Sequence, residues 1–432
     1  MDRNISSSTV ISSYISHSTR KSEFIPLQIL LLAFLLILIA IAVPVVAADR
    51  PATATETTLY SFTGGNDGGF PAGALIWDSA GNLYGTTMAG GSYNEGTVFK
   101  LTPGSGGWTE SVLYTFTGGN DGGYPFCKLV FDTSGNLYGT TLQGGAPGWG
   151  VVFKLTPSQG NWSENVLYTF TGGNDGGMPS AGVILDANGN VYGTASRGGQ
   201  YGGGVIFELT SSSDGWTETV LHALGNSTDG SDPEAGLTFD RLGNLFGTTY
   251  SGGVYGDGTV FKLHYTGTSW AETVAYSFTG GNDGANPRGG ILIGPGGVLF
   301  GTTYAGGTDG SGVLYEMLPV SALNWTQAVI HQFSGYSGGE DGDRPRGDLA
   351  IDSHGDIYGN ASRDGAGSWG TVFECRPASV FGWQFVLLYA FTGGTDGLEP
   401  VGGPILDSSG NLYGTAYFGG AYDYGDVYEV VP

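Results

Sequence analysis

Apolar and polar positions alternate along this chain in short bursts, and the bursts recur. The first runs Thr58-Leu-Tyr-Ser-Phe62 and ends in Thr-Gly-Gly-Asn-Asp-Gly; after Pro71 come Gly73-Ala-Leu-Ile-Trp77, Leu83-Tyr-Gly-Thr-Thr87 and Thr97-Val-Phe-Lys-Leu101. Five-residue runs of this kind, bounded by glycine, read as β-strands. Asp78-Ser-Ala-Gly-Asn82 reads as a hairpin turn, because Asp and Asn bond nearby backbone and Gly accepts positive φ. Residues 88–96 form a longer glycine-rich loop, and no stretch carries a helical period.

The unit recurs seven times. Its fixed point is Asp-Gly-x-x-Pro, at Asp67, Asp121, Asp175, Asp229, Asp283, Asp341 and Asp396, each with Pro four residues later. Trp108, Trp162, Trp216 and Trp270 stand 54 residues apart, so the register barely drifts. Four strands in a unit of this size suit a propeller blade and are long for one coil of a β-helix. The array opens on a lone fourth strand at residues 58–62 and closes on a first, second and third strand at 404–430. That permutation predicts a ring in which the N-terminal strand completes the last blade and removes both open edges. The expectation is therefore an all-β protein, a single seven-bladed β-propeller over residues 57–432 with four antiparallel strands per blade.

Composition agrees with that architecture. Glycine fills 81 of 432 positions and aromatics 13%, too apolar for a disordered chain and too irregular for collagen. The formal charge of −24 leaves no basic stripe for nucleic acid or an anionic membrane surface, whereas cations and neutral polar ligands such as glycans stay compatible. Cys127 and Cys375 fall in the second and sixth repeats, on an inner and an outer-half strand, so no bond between them is expected and both read as free and buried. Residues 1–48 differ from the rest. Arg20 and Lys21 precede an apolar run over 29–43, and small residues follow at 45–48, the pattern of a secretory signal peptide. The run approaches membrane-spanning length, so an uncleaved N-terminal anchor is the alternative, and would be the chain's only contact with a membrane. Either way the repeats are expected outside the cytoplasm, secreted or in the cell envelope, as a monomer. Residues 49–56 read as a lead-in.

The run Gly-Asn-Leu-Tyr-Gly-Thr-Thr, then x-x-Gly-Gly, then Gly-Thr-Val-Phe-Lys-Leu, as in residues 81–101, 135–155 and 243–263, resembles the GloVer tandem repeats of bacterial secreted proteins. The resemblance covers essentially residues 57–432. It implies an exported, propeller-like protein and supplies no catalytic residue to carry over.

Strand direction reverses at every turn, so the Asp-Gly-x-x-Pro loops and the longer Gly-Gly loops share one end of the ring, the upper face. Calcium wants six to eight oxygens, and each loop offers one carboxylate with backbone carbonyls and, in four copies, Asn66, Asn120, Asn174 or Asn282. Calcium is thus conceivable there but unsupported, and no cofactor is expected; the Asp residues read as ordering the turn before Pro. What varies between copies says more. Residues flanking each Pro should line the mouth of the central channel: Phe70, Tyr124, Phe126 and Met178 make the first three blades apolar, while Asp232, Glu234, Arg288, Asp343, Arg344, Arg346 and Glu399 make the other four charged. Such an asymmetric mouth is a candidate site for a glycan or protein partner, although exposed loops also vary by drift. Tyr93, Trp149, Tyr201, Tyr255, Trp369, Tyr422 and Tyr424 in the Gly-Gly loops suit either stacking on sugar rings or packing between blades. No metal-ligand spacing, nucleophile elbow or phosphate loop occurs, and no catalytic residue is assigned. The leading expectation is a non-catalytic binder. The alternatives are a glycoside hydrolase or polysaccharide lyase using a carboxylate pair such as Glu234 with Asp343 or Glu399 across the mouth, and a structural envelope protein.

Overall fold

The computed structural model describes residues 54–321, 324–378 and 382–432; the leader over 1–48 lies outside them. Seven four-stranded antiparallel sheets follow one another in sequence and close into a ring, a seven-bladed β-propeller. In the first blade the innermost strand is Ile76–Trp77, followed outward by Leu83–Ala89, Thr97–Gly104 and Gly107–Thr115. The last blade takes Ile405–Leu406, Leu412–Phe418 and Asp426–Val431 from the C-terminus and its outer strand, Thr55–Ser61, from the N-terminus. That closing strand pairs Thr55 with Val431 and Ser61 with Asp426, and so begins inside the expected lead-in.

The innermost strands are shorter than the alternation predicts. Residues 73–77 suggest five paired residues, but only Ile76 and Trp77 enter the ladder, opposite Tyr84 and Leu83. Near the axis the inner backbone turns instead to its neighbour. The Thr86 hydroxyl donates to the Cys127 carbonyl of the next blade at 3.0 Å, and Thr140, Thr194 and Thr248 repeat the bond to Ala181, Ala235 and Gly289. Asn360 makes it to Gly402, and Thr415 to Gly73 across the closure. Buried carbonyls that leave a ladder must find such partners.

The core lies between blades. Phe99 on the third strand is fully buried beneath Phe62, with ring centroids 5.0 Å apart, and the same cluster takes in Tyr413 and Val427 of the last blade. A Cβ on Gly85 would stand 2.6 Å from the Phe99 ring, which explains the glycine in Leu-Tyr-Gly-Thr-Thr. In the hairpin turn the Asp78 carboxylate accepts bonds from the backbone of Ala80 and Asn82, the Asn82 amide and the Tyr84 hydroxyl. Burial opposes its ionisation, but these donors outweigh it and hold the carboxyl below its usual range. Cys127 and Cys375 are free and buried.

Candidate functional site

Each Asp-Gly-x-x-Pro loop is built the same way. Asp67 accepts the Thr63 backbone N–H at 2.8 Å and the Tyr60 hydroxyl at 3.1 Å through Oδ2, and the Thr63 hydroxyl through Oδ1. Asp121, Asp175 and Asp283 repeat this set. Where the tyrosine is replaced, His222 and His331 reach Asp229 and Asp341 at 3.1 and 2.7 Å. The carboxylates are thus consumed in shaping the loop. Among the described residues no group of three or more His, Cys, Asp or Glu is arranged to hold a metal ion.

The loop is also a clasp between blades. The residue before each Pro (Phe70, Tyr124, Met178, Asp232, Asn286, Arg344 and Glu399) has φ between 52° and 62°, the left-handed region that side chains seldom adopt. This handedness turns its N–H onto the Gly-Gly loop of the preceding blade: Tyr124 donates to Glu95 at 2.8 Å, Met178 to Trp149 at 2.8 Å, and Phe70 to Tyr424 at 2.7 Å across the closure. The Pro then lies against a glycine of that loop; a Cβ on Gly96 would meet Pro125 Cδ at 2.6 Å. Seven such clasps fix the rim of the channel.

That backbone handedness separates two sets of side chains. Residues after Pro point into a central channel of about 790 Å³, forming a ring of Ala72, Phe126, Ser180, Glu234, Arg288, Arg346 and Val401. Period-two alternation places Lys128 and Asp348 one layer down, among glycines, and Ile76, Val130, Ile184 and Leu292 below them. Residues before Pro lie outside that lining, on the seam with the preceding blade. Phe70 packs on Tyr417, Phe418 and Tyr424; Asp232 meets Arg197 at 3.0 Å; Arg344 donates to the Tyr304 hydroxyl at 3.2 Å; Glu399 stands 3.5 Å from Arg363. Of the residues expected at the mouth, Phe126, Glu234, Arg288 and Arg346 therefore line the channel. Phe70, Tyr124, Met178, Asp232, Arg344 and Glu399 occupy the seam positions. Asp343, two before Pro, is buried; desolvation, helped by Asp364 and opposed by Arg344, pushes its carboxyl up to about 6.

The charged arc runs over blades four to six. Arg288 lies between the rings of Tyr250 and Tyr304, its guanidinium carbon 4.7 and 4.5 Å from their centroids, with Nε 3.0 Å from Glu234 Oε2. That Nε–H is nonetheless not aligned for a hydrogen bond, so the contact is ionic. Burial raises the pKa of Glu234, against the pull of Arg288. Burial, then Arg288, lowers the pKa of Arg346. Lys128 and Asp348 approach to 4.0 Å between blades two and six, which are not neighbours in the ring, and Asp348 also accepts the Gly290 N–H at 2.9 Å. Arg346, Gly347 and Asp348 thus all line the channel.

The sequence reading did not find Lys128, Asp348, Tyr250, Tyr304 or Arg197. The first two carried a signal, each being two residues beyond a ring member, Phe126 or Arg346, on the same strand face. The loop aromatics divide. Trp149, Trp369 and Tyr424 cover Gly172, Gly393 and Gly64 of the next blade, so a Cβ at each of those glycines would fall within 2.6 Å of an aromatic atom. Tyr93, Tyr201, Tyr255 and Tyr422 are exposed.

Fold and mouth define a closed propeller with an asymmetric, part-charged channel entrance. The chain belongs to the Gloeobacter/Verrucomicrobia repeat family, whose pattern matches residues 45–188, 76–292, 133–340 and 292–432. No curated protein matches it in sequence. Solved structures similar to it include a candidate 6-phosphogluconolactonase from Bacteroides uniformis, at 14% identity and TM-score 0.49 over 80% of this chain and 89% of that one. A calcium structure of a Trichoderma reesei carbohydrate-active enzyme of family AA12 aligns at 13% identity and TM-score 0.43, over 89% and 96%. A candidate glucose dehydrogenase from Thermus thermophilus aligns at 16% and 0.42, over 71% and 96%.

Proposed function

We propose that this protein is an extracytoplasmic, non-catalytic binding propeller that takes a polar glycan at the upper mouth of its channel. The observation that carries the reading is the ring after the seven prolines. Scaffold positions in this chain repeat from blade to blade, whereas this ring holds apolar residues on one side and Glu234, Arg288 and Arg346 on the other. The clasps hold it rigidly, and a channel of about 790 Å³ falls within the range of small-ligand sites. Tyr250 and Tyr304 hold the Arg288 guanidinium by cation–π contact, which pre-orients it for a ligand.

A second reading, a glycoside hydrolase or polysaccharide lyase, draws on one observation. Burial raises the pKa of Glu234, as a general acid requires. A glycan array probed with the purified protein, with and without Ca²⁺, and product analysis on every hit separate the two. The binding reading expects retained, unmodified glycan irrespective of Ca²⁺. Turnover that disappears in Glu234→Gln defeats it.

A further inference from the structure

Arg346 stands out among the charged groups of the channel. Every other arginine of the upper mouth has a carboxylate within 4 Å: Arg288 has Glu234, Arg344 has Asp343, Arg363 has Glu399 and Arg197 has Asp232. Arg346 has no ion-pair or hydrogen-bond partner among the described residues, although it is partly buried in the channel wall. Among its charged neighbours a second guanidinium, Arg288, weighs most, set against the more weakly felt carboxylates Glu234 and Glu399. Leaving a desolvated cation beside another cation costs free energy unless an anion shares the site.

We propose that the upper channel binds a single carboxylate of its ligand between Arg346 and Arg288, with the ligand body against the apolar arc of Ala72, Phe126 and Val401. This rests on the binding reading above and names the chemistry it recognises. Charge selects the ligand class. Arg288 and Arg346 supply two positive charges and Glu234 removes one, so the site is neutralised by a monoanion and overcharged by a phosphate monoester, which carries close to two negative charges at pH 7. A planar carboxylate also matches the donor fork of a guanidinium. The site is unlike the glycine-rich layer below it, where Lys128 and Asp348 already face each other at 4.0 Å. A uronic acid residue presents one carboxylate on a ring whose C–H face can lie on Phe126. An aromatic or aliphatic acid presents the same head group without the sugar.

The test is calorimetric titration of the full chain with trigalacturonate, with the neutral galactose trimer and with phenylacetate, repeated on Arg346→Gln and Arg346→Lys. Trigalacturonate is expected to bind at least about tenfold more tightly than the neutral trimer, the scale of a charge-assisted hydrogen bond. Arg346→Gln should erase that preference and Arg346→Lys should keep part of it. Competition by phenylacetate at equal affinity supports the carboxylate site and assigns it to a non-sugar acid. Equal binding of the charged and neutral trimers, unchanged in Arg346→Gln, overturns the carboxylate site and leaves the glycan reading standing. Binding of none of the three probes also overturns it, and the array then decides the glycan reading alone. If Arg346→Gln does not fold by thermal unfolding, the charged-against-neutral comparison on the unmodified chain, and its loss in 0.5 M salt, decide the matter.

Discussion

Five glutamates on the outer strands make a prediction about pH. Glu110 lies against Asp67 of the preceding blade, and Glu164, Glu218, Glu272 and Glu56 lie in the same way against Asp121, Asp175, Asp229 and Asp396. Burial first, then the neighbouring carboxylate, pushes each of the five from 4.5 to about 7, Glu56 doing so against a hydrogen bond from Thr58. A raised carboxyl favours the fold while protonated. Its contribution is complete below 4.5 and is lost as pH rises through about 7. A shift of that size corresponds to about 3 kcal/mol per site, which screening at these half-exposed positions reduces to about 1 kcal/mol. Asp78, Asp132, Asp341 and Asp396 are held below 3.8 and withdraw their contribution only as pH falls through that value. Stability should therefore peak near pH 4 to 5 and fall by roughly 5 kcal/mol towards pH 8 if the five sites add. The sixth repeat already carries the remedy, since Gln327 stands at this position and donates to the Asp283 carbonyl at 3.3 Å. Urea unfolding of Glu110→Gln should show a gain of about 1 kcal/mol at pH 8 and none at pH 5. An equal effect at both pH values, or a native chain more stable at pH 8, refutes the reasoning.

Two other changes test the ring itself. Asp426 is buried at the closing seam with neither carboxylate oxygen hydrogen-bonded, and burial, then Glu56 and Asp396, raises its pKa well above 3.8; Thr97, Thr259 and Thr371 hold the matching place in other blades. Asp426→Thr should stabilise the protein by about 1–3 kcal/mol at pH 7 in urea unfolding, and by less at pH 3, below 3.8, where the carboxyl is mostly neutral in both states. Gly85→Ala drives a methyl into the Phe99 ring and should cost about 1–3 kcal/mol by the same measurement.

The ring, its blade count and its closure were legible because a strictly periodic pattern with permuted ends has few other solutions. The site was legible only in part. Residues on both sides of each Pro looked equivalent, but the left-handed backbone at Phe70, Tyr124 and their counterparts sends one set to the blade seams and leaves the other in the channel. Nothing in the residue types announces that handedness, since Phe, Tyr, Met and Glu rarely adopt it. Lys128 and Asp348 could have been found by carrying the alternation two residues further. The pairing of Glu110 with Asp67 could not, because it joins two repeats and depends on how neighbouring blades meet.

The most direct test of the account is hydrogen exchange on the protein with and without its strongest array glycan. Protection should concentrate where the ring and its clasps lie, in residues 63–72, 117–126, 171–180, 225–234, 279–288, 335–346 and 392–401, and leave the opposite turns at 78–82, 132–136 and 407–411 unchanged. Protection confined to those lower turns, or to the exposed Tyr93, Tyr201, Tyr255 and Tyr422 loops, would place the ligand away from the channel mouth and contradict the proposal.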